Sequence, residues 1–199
     1  MSEYHDFKER LAFSEGIQPG GAVMGAVMQM VPGANRVRRA STNEDKSGTD
    51  FWVDRDHGLP PLSIDMKNRG FCPIAKYKSD DACIETTSVY RGTGPNYQDE
   101  HRHKIGWTLD AAKRTDYIVY TWPANNGVRY WIVPFPPLCS AALRYWREWA
   151  RKYKEREARN KTYLTLSVYP PRSVIASAMR EFMVGTTLDS PAQAATLFS

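Results

Sequence analysis

Cysteine and long apolar runs are scarce in this chain, and each scarcity argues against a class of protein. The 199 residues include three cysteines, Cys72, Cys83 and Cys139, an odd number at irregular spacing that does not suit a disulfide framework. The apolar run 22–31 is about half of the roughly 18 to 20 residues that a bilayer-spanning helix needs. Residues 1–6 are acidic and polar, unlike a signal peptide. We therefore expect a cytoplasmic protein with reduced thiols and no membrane partner.

A close Cys-x-x-Cys pair, which zinc sites commonly use, is also missing. The residue types leave open a zinc site built from Cys72, Cys83, His101 and His103. However, Cys83 falls in an apolar, strand-like run, where a small buried thiol is common. The sequence therefore favours packed thiols over a zinc site, and it places the two histidines in a polar loop.

The overall composition is that of one globular domain. Hydrophobic residues make up 42% of the chain and charged residues 25%, which argues against wholesale disorder. The length suits a single domain with a sizeable core. We predict one domain over residues 1–185 and a loosely held C-terminal tail over 186–199.

Apolar periodicity predicts a mixed α/β fold with helices before and after a central group of strands. The predicted helices cover residues 3–13, 22–31, 109–114, about 138–160 and 170–184. The predicted strands begin near residue 36 and continue near 50–54, 62–67, 83–89, 117–122, 129–133 and 163–168.

Two of these predicted strands each carry an acidic residue among apolar neighbours. Asp50 begins the first, and Asp65 lies in the second with Lys67 two residues later. Because side chains alternate along a strand, Asp65 and Lys67 share one face. A charge is costly on a buried strand unless it is paired, solvated or bound to a metal. A hairpin that brought Asp50 beside Asp65 would create a site for a divalent cation next to a lysine.

Asp50 and the Asp65-x-Lys67 motif on adjacent strands resemble the core of the PD-(D/E)XK nuclease superfamily. The resemblance covers roughly residues 45–135 and includes weaker matches at Cys83–Glu85, Gly106–Trp107 and 115–120. Thr49 stands where the motif's name has proline. The resemblance implies a restriction-endonuclease-like fold, in which a central mixed sheet is flanked by helices.

The same resemblance implies further site residues. Asp50 and Asp65 would bind Mg²⁺, with Mn²⁺ able to substitute, and the backbone carbonyl of Met66 would complete the metal shell. Glu85 would support the metal from the next strand, and a solvent-facing role for this glutamate stays open. Many members supply a glutamate from the first helix. Glu9, inside the predicted helix, is a better candidate for it here than Glu15, which lies at the end of that helix.

A second candidate site is a basic segment late in the chain. Residues 138–161 contain eight lysines and arginines against three glutamates, a surplus equal to the net charge of the whole chain, +5. Trp146, Trp149 and Tyr153 recur at helical spacing, which predicts a long helix with one aromatic face and one basic face. Such a basic face is typical of nucleic-acid binding, although a solvated face on a core-packing helix explains it equally well. The predicted phosphate-binding residues are Arg144, Arg151, Lys154 and Arg159. If the helix only covers the sheet, Arg36, Arg38 and Arg39 are the alternative.

Taken together, these features and the resemblance predict a Mg²⁺-dependent nuclease that hydrolyses phosphodiester bonds. The resemblance to small single-domain members of the superfamily implies DNA rather than RNA as the substrate, and a part in phage or mobile-element DNA processing. A homodimer is plausible because cleavage of two strands often needs two sites. The alternative is a catalytically silent protein of the same fold that binds nucleic acid or a host protein, for example as an inhibitor of a host system.

Overall fold

A computed structural model describes most of the chain. The described residues are 21–41, 43–44, 48–70, 72–90, 102–125, 127–159 and 163–183. The predicted helix at 3–13 with Glu9, the loop histidine His101 and the tail at 186–199 lie outside these residues.

The described residues form nine strands, four α-helices and a short 3₁₀ helix. The strands are β1 (Ala34–Arg39), β2 (Phe51–Arg55), β3 (Leu62–Asn68), β4 (Ile84–Tyr90), β5 (Arg102–Ile105), β6 (Tyr117–Ala124), β7 (Gly127–Pro134), β8 (Glu155–Arg159) and β9 (Tyr163–Val168). The helices are α1 (Gly21–Met30), α2 (Pro73–Tyr77), α3 (Phe135–Tyr153) and α4 (Arg172–Met183), and the 3₁₀ helix is Trp107–Leu109.

A five-stranded mixed sheet carries the residues singled out by the sequence. Its strand order is β1-β2-β3-β6-β7. Strands β1 to β3 form an antiparallel meander, β6 and β7 form a hairpin, and the central pair β3 and β6 is parallel. Parallel neighbours need a crossover connection, and here the chain between them contains α2, β4 and β5. The prediction of a mixed α/β fold is confirmed.

The second sheet is antiparallel throughout, in the order β5-β4-β9-β8. Strand β4 lies close to the 3₁₀ helix, because the backbone N–H of Gly106 donates to the Thr86 carbonyl at 3.0 Å. A Cβ at Gly106 would lie 2.3 Å from the Glu85 carbonyl oxygen, so only glycine permits this approach. The contact holds Glu85 beside the 3₁₀ helix, where its backbone N–H donates to the Thr108 hydroxyl at 3.1 Å.

Apolar side chains cover both faces of the mixed sheet. On one face, Val23 and Val27 of α1 pack in a cluster with Val119 of β6. On the other face, Ile118 and Tyr120 of β6 join a larger cluster that includes residues of α3 and α4. A strand buried on both faces is expected to be apolar almost throughout, which explains the continuous run at 117–122. No helix among the described residues is both long and apolar enough to cross a bilayer.

Two of the predicted helices are wrong, one in its C-terminal end and the other in its type. The basic helix α3 ends at Tyr153 rather than near residue 160, because Lys154 adopts a left-handed φ of 61° and β8 then pairs with β9. The predicted helix at 109–114 is replaced by the 3₁₀ helix and a turn. There, the Asp110 carboxylate accepts a hydrogen bond from the Ala112 backbone N–H at 3.0 Å, an aspartate turn that competes with helix.

Candidate active site

Asp50 lies immediately before strand β2 and is hydrogen-bonded to strand β3. In the antiparallel register, Phe51 lies opposite Ile64, and the Asp50 backbone N–H donates to the Ile64 carbonyl at 2.8 Å. The Asp50 carboxylate also accepts a hydrogen bond from the backbone N–H of Met66 at 2.6 Å. These two contacts fix Asp50 beside Asp65, as the sequence predicted.

Asp65 is held between two lysines. Its Oδ1 lies 2.7 Å from Lys67 Nζ and its Oδ2 lies 2.5 Å from Lys113 Nζ. Only 3% of the Asp65 side chain is exposed. Burial alone would raise the pKa of this carboxyl, but the charges and hydrogen bonds of the two lysines outweigh burial and lower it. Asp65 is therefore ionised and fully paired.

The two lysines occupy different environments. The Lys67 side chain is 31% exposed, whereas the Lys113 side chain is 8% exposed. Both amines lie over the ring of Trp107, at 4.8 Å for Lys67 and 5.3 Å for Lys113 from its centroid. A cation over an aromatic face is stabilised by the ring quadrupole. Trp107 thus covers one side of both amines.

The segment that carries Lys113 is fastened to the sheet at its C-terminal end. The Thr115 hydroxyl donates to the Gly48 carbonyl at 2.8 Å. Asp116 accepts hydrogen bonds from the backbone N–H of Ser63 at 2.7 Å and from its hydroxyl at 2.9 Å. These bonds tie the residues before β6 to the strand that bears Asp65, and they give Asp116 a structural role.

The carboxyl groups of Asp50 and Asp65 interact directly. Burial and then the negative charge of Asp65 raise the pKa of Asp50 from 3.8 to about 7, against the opposing effects of the Met66 N–H and the Lys67 charge. Protonated Asp50 can also share a hydrogen bond with Asp65. Two carboxyl groups this close repel each other when both are ionised, so a cation or a proton is favoured between them.

Glu85 faces the same cluster from the second sheet. Its pKa is raised by burial, while a hydrogen bond from the Trp107 backbone N–H lowers it. The Lys67 and Lys113 charges act on Glu85 as well, and so does the charge of Asp65. Glu85 is therefore largely buried and faces the charges of this cluster rather than solvent, while its predicted support of a metal stays a prediction.

The donor set can be compared with what Mg²⁺ requires. Among the described residues, no three His, Cys, Asp or Glu side chains are grouped so that they could hold a metal ion. Mg²⁺ commonly uses only one or two protein carboxylates and keeps several waters. Asp50 and Asp65 supply that number of hard oxygen ligands, so the residues fit the ion in type and charge. A cation bound to Asp65 would replace one of its lysine contacts.

The predicted phosphate-binding residues do not lie on one helix. Arg144 and Arg151 are on α3, Lys154 follows its last residue, and Arg159 ends strand β8. Arg144 donates to the Tyr145 hydroxyl at 3.3 Å and is exposed, as Arg151 and Lys154 are. The continuous basic helical face expected from the sequence is therefore interrupted at residue 153. The alternative residue Arg38 pairs with Asp54 at 3.3 Å.

Lys113 is the site residue that sequence reasoning missed. It lies 48 positions from Asp65, in a stretch that was predicted to be helical. A lysine in a polar segment carries no local pattern that distinguishes it from a solvated one. Only the tertiary contact between the 110–116 segment and β3 reveals it.

Comparisons with protein-family models, curated proteins and solved structures found no match to this chain. Function is therefore inferred from the geometry of the site.

Proposed function

We propose that this protein is a divalent-cation-dependent nuclease that hydrolyses phosphodiester bonds at Asp50, Asp65 and Lys67. The observation that carries the proposal is the meeting of two carboxyl groups, from Asp65 on β3 and from Asp50 just before β2, with a partly exposed lysine amine 2.7 Å from one of them. A buried carboxyl pair is electrostatically unfavourable unless cations lie beside it, so its presence where β2 and β3 meet supports a functional role. The resemblance to the PD-(D/E)XK superfamily supports the same assignment.

Each residue has a role that follows from its position. Asp50 and Asp65 would hold Mg²⁺ or Mn²⁺, which would polarise a phosphoryl oxygen and acidify a bound water. The Lys67 amine, on the more exposed side of Asp65, would stabilise negative charge that develops on the phosphate. Trp107 lies over both lysine amines, and the negative charge of Glu85 would help to keep them protonated.

The substrate class follows from charge. The chain has a net charge of +5, and basic side chains are exposed on α3 and just after it. Positive surface attracts the phosphate backbone of nucleic acids without reading its sequence. DNA is the substrate that the superfamily resemblance favours.

The experiment is a cleavage assay on four substrates: supercoiled plasmid, a branched DNA junction, single-stranded DNA and single-stranded RNA. Purified protein is incubated with each in Mg²⁺, in Mn²⁺ and in EDTA. The proposal expects cleavage of at least one substrate in Mg²⁺ or Mn²⁺ and none in EDTA. Cleavage that persists in EDTA, or no cleavage of any substrate, would contradict it.

A second candidate is a catalytically silent protein that uses this fold to bind nucleic acid or a host protein. The observation in its favour is that both oxygens of Asp65 are already paired with lysines. A carboxylate neutralised in this way can be purely structural. Retarded migration of DNA in a gel, equal in Mg²⁺ and EDTA and without cleavage, would favour this candidate for nucleic acid.

A further inference from the structure

Lys113 holds a positive charge at the carboxyl pair from a position that the side chain cannot easily leave. Its amine contacts Asp65 Oδ2 at 2.5 Å, and only 8% of the side chain is exposed. A Cβ at Gly48 would lie 2.7 Å from Lys113 Nζ, so the chain passes directly over the amine. The rings of Trp107 and Phe135 lie 5.3 and 5.9 Å from it.

Lys67 differs from Lys113 in this respect. Its side chain is 31% exposed, so its amine can move into solvent when another cation approaches Asp65 Oδ1. Lys113 would have to displace Trp107 or the backbone at Gly48 to do the same. Its charge therefore stays near any cation that binds Asp50 and Asp65. Because the site is largely buried, the Lys113 amine and that cation would repel each other more strongly than they would in bulk water.

We propose that Lys113 is a built-in counter-ion of Asp65 that sets the cation affinity of the site. With no divalent cation bound, it keeps the buried Asp65 carboxylate paired. With one bound, its retained charge weakens binding, so that the site fills only at high concentrations of free divalent cation. This inference rests on the proposed function, since it takes Asp50 and Asp65 to be the cation ligands.

The test is a calorimetric titration of the full chain with Mn²⁺ at constant pH, which needs no cleavage activity. Wild type is compared with Lys113→Met and Lys113→Gln. The glutamine keeps a hydrogen-bond donor but no charge, so it remains informative if the methionine variant does not fold. Lys104→Met, which removes an exposed lysine from β5, is the matched control.

We expect Lys113→Gln to bind Mn²⁺ about tenfold more tightly than wild type or better, because one nearby positive charge is gone. Lys104→Met should bind as wild type does. A residue that only fills space would not tighten cation binding when it is replaced, so this readout separates an electrostatic role from a packing role. Asp65→Asn should abolish the tight binding in a Lys113→Gln background.

The possible failures are distinguishable. If wild type binds Mn²⁺ through Asp65 and Lys113→Gln binds it with the same or lower affinity, the inference is overturned and the proposed function stands. If neither protein binds Mn²⁺, the cation site and the inference both fail. If Lys113→Gln binds Mn²⁺ through Asp65 and wild type shows no binding, the inference is supported in its strongest form.

Discussion

The carboxyl-lysine cluster and the basic face of α3 contain similar charged side chains in opposite environments. The cluster (Asp50, Asp65, Lys67, Glu85 and Lys113) is largely buried between the two sheets, and both oxygens of Asp65 are engaged. The basic face of α3, Arg144, Arg147, Arg151 and Lys152, is exposed. Buried charges are costly and persist only where they are paired or have a function, whereas exposed charges cost little. The cluster therefore needs a specific arrangement of partners to exist, whereas the exposed charges of the helix need none.

The largest loss of stability is expected when the close approach of β4 to the 3₁₀ helix is disrupted, because this approach positions Glu85 in the cluster. Gly106→Ala would place a Cβ 2.3 Å from the Glu85 carbonyl oxygen and force β4 away from the 3₁₀ helix. We expect a loss of about 2–3 kcal/mol in the free energy of unfolding, measured with urea, as for overpacked cores. Gly25→Ala is the matched control, because nothing lies within 4 Å of its added Cβ. Equal stability of the two variants would show that the close approach of β4 is not required.

The buried cluster, unlike the exposed helix, should make the free energy of unfolding depend on pH through Asp50. The pKa of Asp50 rises from 3.8 to about 7 in the folded protein, so the folded state binds this proton more tightly than the unfolded state. The resulting stabilisation is complete below about pH 4 and is lost as the pH rises through about 7. In EDTA, Asp50→Asn should therefore gain stability relative to wild type as the pH is raised across this range.

Urea unfolding of both proteins at several pH values measures this difference. Asp54→Asn, on the strand that follows Asp50 and paired with Arg38 at 3.3 Å, is the control. A constant difference between wild type and Asp50→Asn from pH 4 to pH 8 would contradict the close approach of the two carboxyl groups.

The smallest expected effect concerns the exposed charges. Reversing Arg151 and Lys154 to glutamate should lower the slope of log affinity for duplex DNA against log salt by about two units, since each phosphate contact contributes about 0.9. The sequence preference should not change, because phosphate contacts position the protein without reading bases. Fluorescence anisotropy at several salt concentrations provides the slope. An unaltered slope would mean that these charges only face solvent and would direct attention to Arg36, Arg38 and Arg39.

Local patterns were sufficient to predict the strands that carry the cluster. Alternation around Asp65 and Lys67 predicted β3 within one residue, and the apolar run at 117–122 predicted β6. These features depend on residues that are close in sequence. The positions of Asp50 and Glu85 depended instead on an assumed hairpin and on the superfamily resemblance, because alternation alone left the face of Glu85 open.

The features that were missed depend on distant contacts. Residues 154–159 include good helix formers, yet pairing of β8 with β9 overrides their propensity, and the helix ends at Tyr153. The contact between Lys113 and Asp65 joins segments 48 residues apart and has no local signature. The sequence pattern could therefore predict that Asp65 and Lys67 share a face, but not that Lys113 pairs with Asp65.

The most direct test of the proposed function is the rate of Mg²⁺-dependent DNA cleavage by Asp65→Asn, with Asp54→Asn as the matched control. Circular dichroism first establishes that both variants are folded. We predict that Asp65→Asn loses about a thousandfold or more in single-turnover rate, equivalent to about 4 kcal/mol of barrier, while Asp54→Asn cleaves as wild type does. Cleavage by folded Asp65→Asn at the wild-type rate would contradict the assignment of the active site.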